Sequence, residues 1–240
     1  MNYRLYTHKN KLRNILTLLV FFIMLVLIVL GFRYGNREIF PLIITLGIIS
    51  IFVISYFYFE KSSLGTKEMA IIATLSAFAG VARVPFAAIP NVQPTTFIVA
   101  ISGYVFGPYE GFLIGSLTAF ISNIFLGQGP WTPWQMLSWG IVGIISGLLG
   151  IRKKELSVEK FSVICFLYGF LFDWIMNLWH IIGFVKVLNF QSILFSYLSG
   201  IMVDVMHSLG NFLFSMVFYN KFLKVLTRFK KRLYFTYIKE

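Results

Sequence analysis

Eight apolar stretches, each nearly free of charge and separated by short polar or proline- and glycine-containing loops, run the length of the sequence. Roughly 20 apolar residues in helical form cross the ~30 Å hydrocarbon core of a bilayer. Backbone in lipid must satisfy its own hydrogen bonds, which leaves helices and closed barrels. These stretches are continuous rather than alternating, so they read as helices. Only 12% of residues are charged, against about 25% in a soluble domain. The 240 residues accommodate eight spans and leave no room for a separate soluble domain. The chain therefore reads as an all-α polytopic membrane protein.

The expected spans are residues 15–32, 39–59, 68–82, 95–107, 111–126, 134–150, 161–183 and 195–218. The first ends at Leu30-Gly31-Phe32 without a small-residue cleavage pattern and reads as a retained helix. The polar linker from Glu60 to Lys67 marks a boundary. It separates an N-terminal extension of two helices, residues 1–60, from a six-helix module, residues 61–225. A basic tail, residues 226–240, follows. A net charge of +12 would suit nucleic acid, but the basic residues cluster in loops beside apolar runs, as membrane topology requires. With eight spans and the N-terminus inside, 17 of the 21 Lys and Arg fall on the cytoplasmic side. The four on the outer side are Arg33, Arg37, Arg83 and Lys186. Both termini are thus expected in the cytoplasm, in the cell membrane. The loops Arg83–Pro94 and Gly127–Gln135 then share the outer face. The single Cys165 lies in an apolar run and rules out an internal disulfide.

Polar residues inside apolar runs are expensive and mark either function or helix-to-helix contacts. Both aspartates lie in expected spans. Asp173, Asn177 and His180 follow one another at i, i+4, i+7, a single helical face. Asp204, His207 and Asn211 follow at i, i+3, i+7. Two consecutive antiparallel helices therefore each carry an Asp/His/Asn stripe. The stripes either line a cavity below the outer surface or hold two helices together. Between the fifth and sixth spans lies Gly127-Gln128-Gly129-Pro130-Trp131-Thr132-Pro133-Trp134-Gln135, an uncharged turn rich in aromatic and amide groups. It reads either as the cap of an organic ligand or as an interfacial aromatic anchor. Asn123 and Trp139 add polar and aromatic groups at the same level. Ala73 and Ala77 form an AxxxA step. Gly103, Gly107, Gly111 and Gly115 recur every four residues, a spacing that lets helices approach closely. The sequence contains no GxxxxGK[ST], GxSxG or HExxH motif, so a P-loop ATPase and the common membrane proteases are not indicated. The Asp and His groups leave two rival readings open, a metal-ion importer subunit and an intramembrane enzyme using Asp173, His180, Asp204 and His207.

Residues from about 66 to 220 resemble the S components of energy-coupling factor (ECF) transporters, the membrane subunits that bind vitamins for import. Three stretches carry the likeness. They are Lys67-Glu68-Met69-Ala70-Ile71-Ile72-Ala73, the Asn91-Val92-Gln93-Pro94 loop leading to Gly103-Tyr104-Val105-Phe106-Gly107-Pro108, and the run from Asn123 to Trp134. The string from Gly127 to Gln135 is similar to the corrinoid-linked S components, those for cobalamin or its lower-ligand base dimethylbenzimidazole. The resemblance implies a six-helix bundle preceded here by two extra transmembrane helices. It implies a pocket near the outer face, closed by the loop after the module's first helix. The partners it implies are a membrane coupling subunit (T component) and two cytoplasmic ATPases. It implies capture and carriage of substrate rather than enzymatic chemistry, with no cofactor or resident metal. Ala73 and Ala77 would form the docking face. Substrate would meet Asn91, Gln93, Asn123, Gln128, Trp131, Trp134, Gln135, Trp139, Asp173, Asn177, His180, Asp204 and His207.

Overall fold

The computed structural model describes residues 22, 26, 29, 40–61, 65–152 and 155–238. The chain divides into two units, residues 1–63 and 64–240. In the first unit, α1 (Phe40–Lys61) is apolar on every side. Ile44, Ile48, Ile51, Phe52 and Ser55 form its buried stripe, at the helical spacing. The expected first span falls almost entirely outside the described residues.

The second unit holds six helices: α2 (Thr66–Ala82), α3 (Thr95–Phe106), α4 (Pro108–Leu126), α5 (Thr132–Arg152), α6 (Val158–Phe184) and α7 (Phe190–Ile238). A single 3-10 turn, Val84–Phe86, follows α2. No strand occurs among the described residues. All the helices of this unit except the short α3 are long and apolar enough to cross a membrane. The chain is thus an all-α polytopic membrane protein, as its apolar runs require.

Two boundaries differ from the sequence reading, each for a local reason. The helix expected from residue 111 begins at Pro108. This proline sits in the first turn of α4, where its missing N–H costs nothing. Gly107, at φ 126°, makes the whole turn between α3 and α4, a backbone conformation that favours glycine. The eighth expected span, residues 195–218, is part of one unbroken helix, α7, of 49 residues. At ~1.5 Å per residue it is far longer than a bilayer is thick. The basic residues after Phe218 are interleaved with Tyr219, Leu226 and Leu233, which are buried one or two heptads apart. That spacing keeps the segment helical and packed. Lys230 donates to the carbonyl of Val105 in the last turn of α3, where a cation suits the helix end.

The core forms where α3 is enclosed. Every residue from Thr95 to Val105 is buried. Glycine sets the close approach of α4 and α5. A Cβ at Gly111 would strike the Gly143 carbonyl oxygen, and one at Gly115 the backbone of Trp139. Gly103, Gly111 and Gly115 of the four-residue series thus serve helix packing, while Gly107 serves the turn. Loops 83–94, 127–131 and 185–189 lie at the same end of the bundle, since successive helices alternate in direction.

Candidate functional site

Two hydrogen-bonded networks occupy the loop end, one on each side of the buried Trp139. The first is built on Arg83, the C-cap of α2. Its Nε donates to Gln93 Oε1 at 2.6 Å. Its Nη1 donates to Ser122 Oγ and Asn123 Oδ1, both at 3.2 Å. Asn123 passes the network on, donating to Gln135 Oε1 at 2.7 Å and Thr132 Oγ1 at 3.0 Å. Thr132 Oγ1 donates to Gln128 Oε1 at 2.9 Å, and Gln128 Nε2 returns to the Phe120 carbonyl. The guanidinium also lies over the Trp139 ring, 5.3 Å from its centroid, a cation–π contact. This network joins the loop after α2 to the tryptophan-bearing loop between α4 and α5.

The second network joins α3, α5, α6 and α7. Trp139 Nε1 donates to Thr96 Oγ1 at 2.9 Å. Thr96 Oγ1 lies 2.9 Å from His207 Nε2. His207 Nδ1 lies 2.8 Å from Asp173 Oδ2. The carboxylate needs a proton on Nδ1, so Nε2 of a neutral imidazole accepts from the Thr96 hydroxyl. The other carboxylate oxygen, Oδ1, accepts from Asn91 Nδ2 at 3.1 Å. Asn91 has φ 55°, a left-handed conformation that Asn tolerates better than most residues. The two stripes of the sequence thus meet, and they meet at Asp173 and His207.

The loop from Arg83 to Pro94 is therefore tied at two points. Gln93 is held by Arg83, and Asn91 by Asp173. Val92, between them, lies against α7, where a Cβ on Gly210 would come within 3.3 Å of its side chain.

Beside the second network lies a set of polar atoms without partners. Asp204 Oδ2, Asn177 Nδ2, Ser208 Oγ and both amide atoms of Asn211 are buried and make no hydrogen bond. Gln93 Nε2 is in the same position. Asp204 interacts electrostatically with Asp173 and His207, so the group adjoins the tied network. Gly200 leaves space between two of its members. A Cβ there would sit 3.4 Å from Asn177 Nδ2 and 3.5 Å from Asp204 Oδ1. Buried polar atoms are normally paired, and unpaired ones cost about 1–3 kcal/mol each.

The remaining residues singled out in the sequence are spread more widely. Trp134 is a core residue, 1% exposed, whereas Trp131 is 36% exposed. Trp131 packs edge-to-face on Trp179 and fills the space at Gly129. His180 is exposed and stacks on Phe184, away from Asp173. Trp174 is 52% exposed. Gln128, Gln135, Asn123 and Gln93 bond to one another or to Arg83. Ala73 and Ala77 lie on the exposed face of α2. Next to that face is an apolar groove of about 380 Å³ between α2 and the far part of α7, lined by Ala70, Thr74, Phe78, Phe222 and Val225 among others. Arg83 went unrecognised as the hub of the first network, because a single Arg beside an apolar run reads as a topology marker. Ser208 had no signal at all.

Two rival chemistries can be judged on this geometry. Thr96, His207 and Asp173 stand in the order of a hydrolytic triad. Yet Thr96 and His207 are both 0% exposed, and the Thr96 oxygen already accepts from Trp139. It is not placed to attack a substrate. Among the described residues, no three of His, Cys, Asp and Glu converge as metal ligands would.

A family model described as "ECF-type riboflavin transporter, S component" matches residues 63–228. Curated relatives include a UPF0397 protein of Aliivibrio salmonicida, 32% identical over 106 residues, covering 42% of this chain and 57% of the relative. A UPF0397 protein of Vibrio atlanticus is 30% identical over 108 residues, covering 40% of this chain and 59% of the relative. One from Photobacterium profundum is 26% identical over 140 residues, covering 56% of this chain and 74% of the relative. The chain spans a little over half the length of the first of these relatives. No solved structure matches. The family match covers most of the chain, so the chain belongs to the ECF-type S component family and is a multi-pass membrane protein.

Proposed function

We propose that this S component captures a vitamin-class substrate at the loop end of the bundle and carries it to a coupling subunit driven by two ATPases. The observation that carries the reading is the double tie on loop 83–94. Arg83–Gln93 fixes it to α2 and α4, and Asn91–Asp173 fixes it to α6. A loop held by single hydrogen bonds at two points can close over a ligand and open again at modest cost. Each such bond contributes about 0.5–1.5 kcal/mol net. The ligand site would lie beneath Asn91, toward Asp173, Asn177, Asp204, His207 and Asn211. Ala73 and Ala77, exposed beside an apolar groove, would receive the coupling subunit. Outward placement of the loop end is supported by the charge asymmetry of the loops.

The finer reading is a corrinoid-linked substrate. It is supported by the likeness of the Gly127–Gln135 string to that group. Of its two members, the geometry favours the small base dimethylbenzimidazole over cobalamin. A corrin carries many side-chain amides, whereas Asn123, Gln128 and Gln135 are already engaged and the buried unpartnered amide atoms are confined to Gln93, Asn177 and Asn211 among the described residues. Riboflavin, named in the family's description, is the second candidate.

The test is uptake by vesicles containing this chain, a T component and the two ATPases. ATP-dependent accumulation of radiolabelled dimethylbenzimidazole, abolished by an ATPase-inactive partner, is expected. Uptake of riboflavin alone would move the substrate but keep the role. Failure to assemble with any T component and to accumulate any of the three compounds would overturn the role itself.

A further inference from the structure

The half of α7 beyond Phe218 carries three different faces, and the helical repeat sets their order. Tyr219, Leu226 and Leu233 form the buried face. Lys230, on the same side, donates to the Val105 carbonyl. On the opposite side Lys221, Lys224, Arg228 and Lys231 follow at i, i+3, i+7 and i+10, a single stripe, and all four are exposed. Between the two faces, along one flank, lie Phe222, Val225 and Phe229. Val225 is 50% exposed and Phe229 46%. No acidic residue occurs from Val205 to Lys239. Among the described residues the four cations have no acidic partner.

The apolar flank forms one wall of the groove of about 380 Å³. The other wall comes from α2 through Ala70, Thr74 and Phe78, and Lys221 also lines the groove. Phe106, which lines it too, is the last residue of α3, and Ala70 lies in the second turn of α2. The groove thus lies toward the end of the bundle opposite loops 83–94. The charge asymmetry of the loops supports placing that end at the cytoplasmic leaflet.

The order of these surfaces separates the possible occupants. A neutral lipid would fill the groove but leave four like charges in a row without a counter-charge. An acidic protein segment would neutralise the stripe and leave the apolar walls bare, and so would a small anion. An anionic phospholipid joins an acyl chain to a charged headgroup in one molecule, as the groove adjoins the stripe. Basic clusters beside a membrane span attract anionic headgroups, and the long stems of Lys and Arg lie along apolar surface while their charged ends reach the headgroup level.

From this we infer that α2 and the far half of α7 form a seat for one anionic phospholipid of the cytoplasmic leaflet. An acyl chain lies in the groove against Thr74, Phe78 and Val225, and Lys221, Lys224 and Arg228 hold the phosphate. Ala73 and Ala77 border the seat on α2, so the lipid abuts the face proposed for the coupling subunit. The inference does not depend on which vitamin is captured.

Native mass spectrometry of the full-length protein in detergent tests it, with dioleoylphosphatidylglycerol or dioleoylphosphatidylcholine added. The two lipids share their chains and phosphate and differ in net charge. Phosphatidylglycerol is expected to bind at least tenfold more tightly. In the triple variant Lys221→Gln, Lys224→Gln, Arg228→Gln that advantage falls below threefold. A second triple variant, Lys9→Gln, Lys11→Gln, Arg13→Gln, loses the same charge elsewhere and keeps the advantage. Thr74→Trp fills the groove at an exposed position, keeps every charge and weakens phosphatidylglycerol at least tenfold. Glycerol 3-phosphate, a headgroup without chains, does not displace the lipid even in large excess. Each variant is compared as a single species in size-exclusion chromatography. Equal affinity for the two lipids, an equal loss in the second triple variant, displacement by glycerol 3-phosphate, or indifference to Thr74→Trp would each overturn the seat. So would a first triple variant that keeps the lipid preference but no longer joins a T component, which would assign the basic stripe to that partner.

Discussion

Arg83 shows how one side chain can organise a membrane site without touching a carboxylate. It offers a rigid fork of donors, and three acceptors from the loop and α4 converge on it: Gln93, Ser122 and Asn123. Lysine keeps the charge but not the fork. Arg83→Lys is therefore expected to free loop 83–94, raising ligand off-rate about tenfold in stopped-flow fluorescence while the helices stay folded by circular dichroism. An unchanged off-rate would mean that the loop is not tied there. The sequence made Asp173, His207, Asp204 and Asn177 visible, because polar residues at helical spacing inside apolar runs stand out. It did not reveal that Asn123, Gln128 and Gln135 would be satisfied within one network, or that Trp134 would be core and Trp131 surface. Those outcomes depend on side-chain direction across three helices, which spacing along one chain does not encode.

Helix positions followed the apolar runs closely from α2 to α6, because lipid permits little else. The exceptions came from residues with two meanings. Pro108 ends helices in their interior but begins them in the first turn. The lysines and arginines after Phe218 read as a tail until their interleaving with Tyr219, Leu226 and Leu233 is placed on a helix. Close approach of α4 and α5 rests on glycine, so Gly143→Leu is expected to prevent their packing. Expression with loss of the monodisperse peak in size-exclusion chromatography would report it, and a well-folded variant would show that the contact can yield. On α2 the opposite is expected. Ala77→Trp enlarges an exposed face of α2 and leaves the buried loop-end networks in place, so ligand affinity should stay within about twofold while ATP-driven uptake falls at least tenfold. Loss of affinity in that variant would place Ala77 in the fold rather than at a partner.

Taken as a whole, the chain joins a six-helix S component unit, residues 64–240, to an N-terminal unit that the structure divides from it after Ser63. We propose that residues 1–60 are an added module that plays no part in ligand capture. A chain starting at residue 61 is expected to bind the same ligand with affinity within about threefold, measured by calorimetry. The capture role itself turns on whether loop 83–94 closes over a ligand held near Asp173 and Asp204. Calorimetric titration of the full-length protein with dimethylbenzimidazole, cyanocobalamin and riboflavin, beside an Asn91→Gly variant, addresses that directly. Glycine keeps the left-handed backbone at position 91 and removes only the hydrogen bond to Asp173. Tight binding of one of the three compounds, weakened about tenfold in Asn91→Gly, is the expected outcome. Equal binding by both proteins would contradict closure of the site by the loop, and no binding by either would remove both the corrinoid-linked and the riboflavin readings.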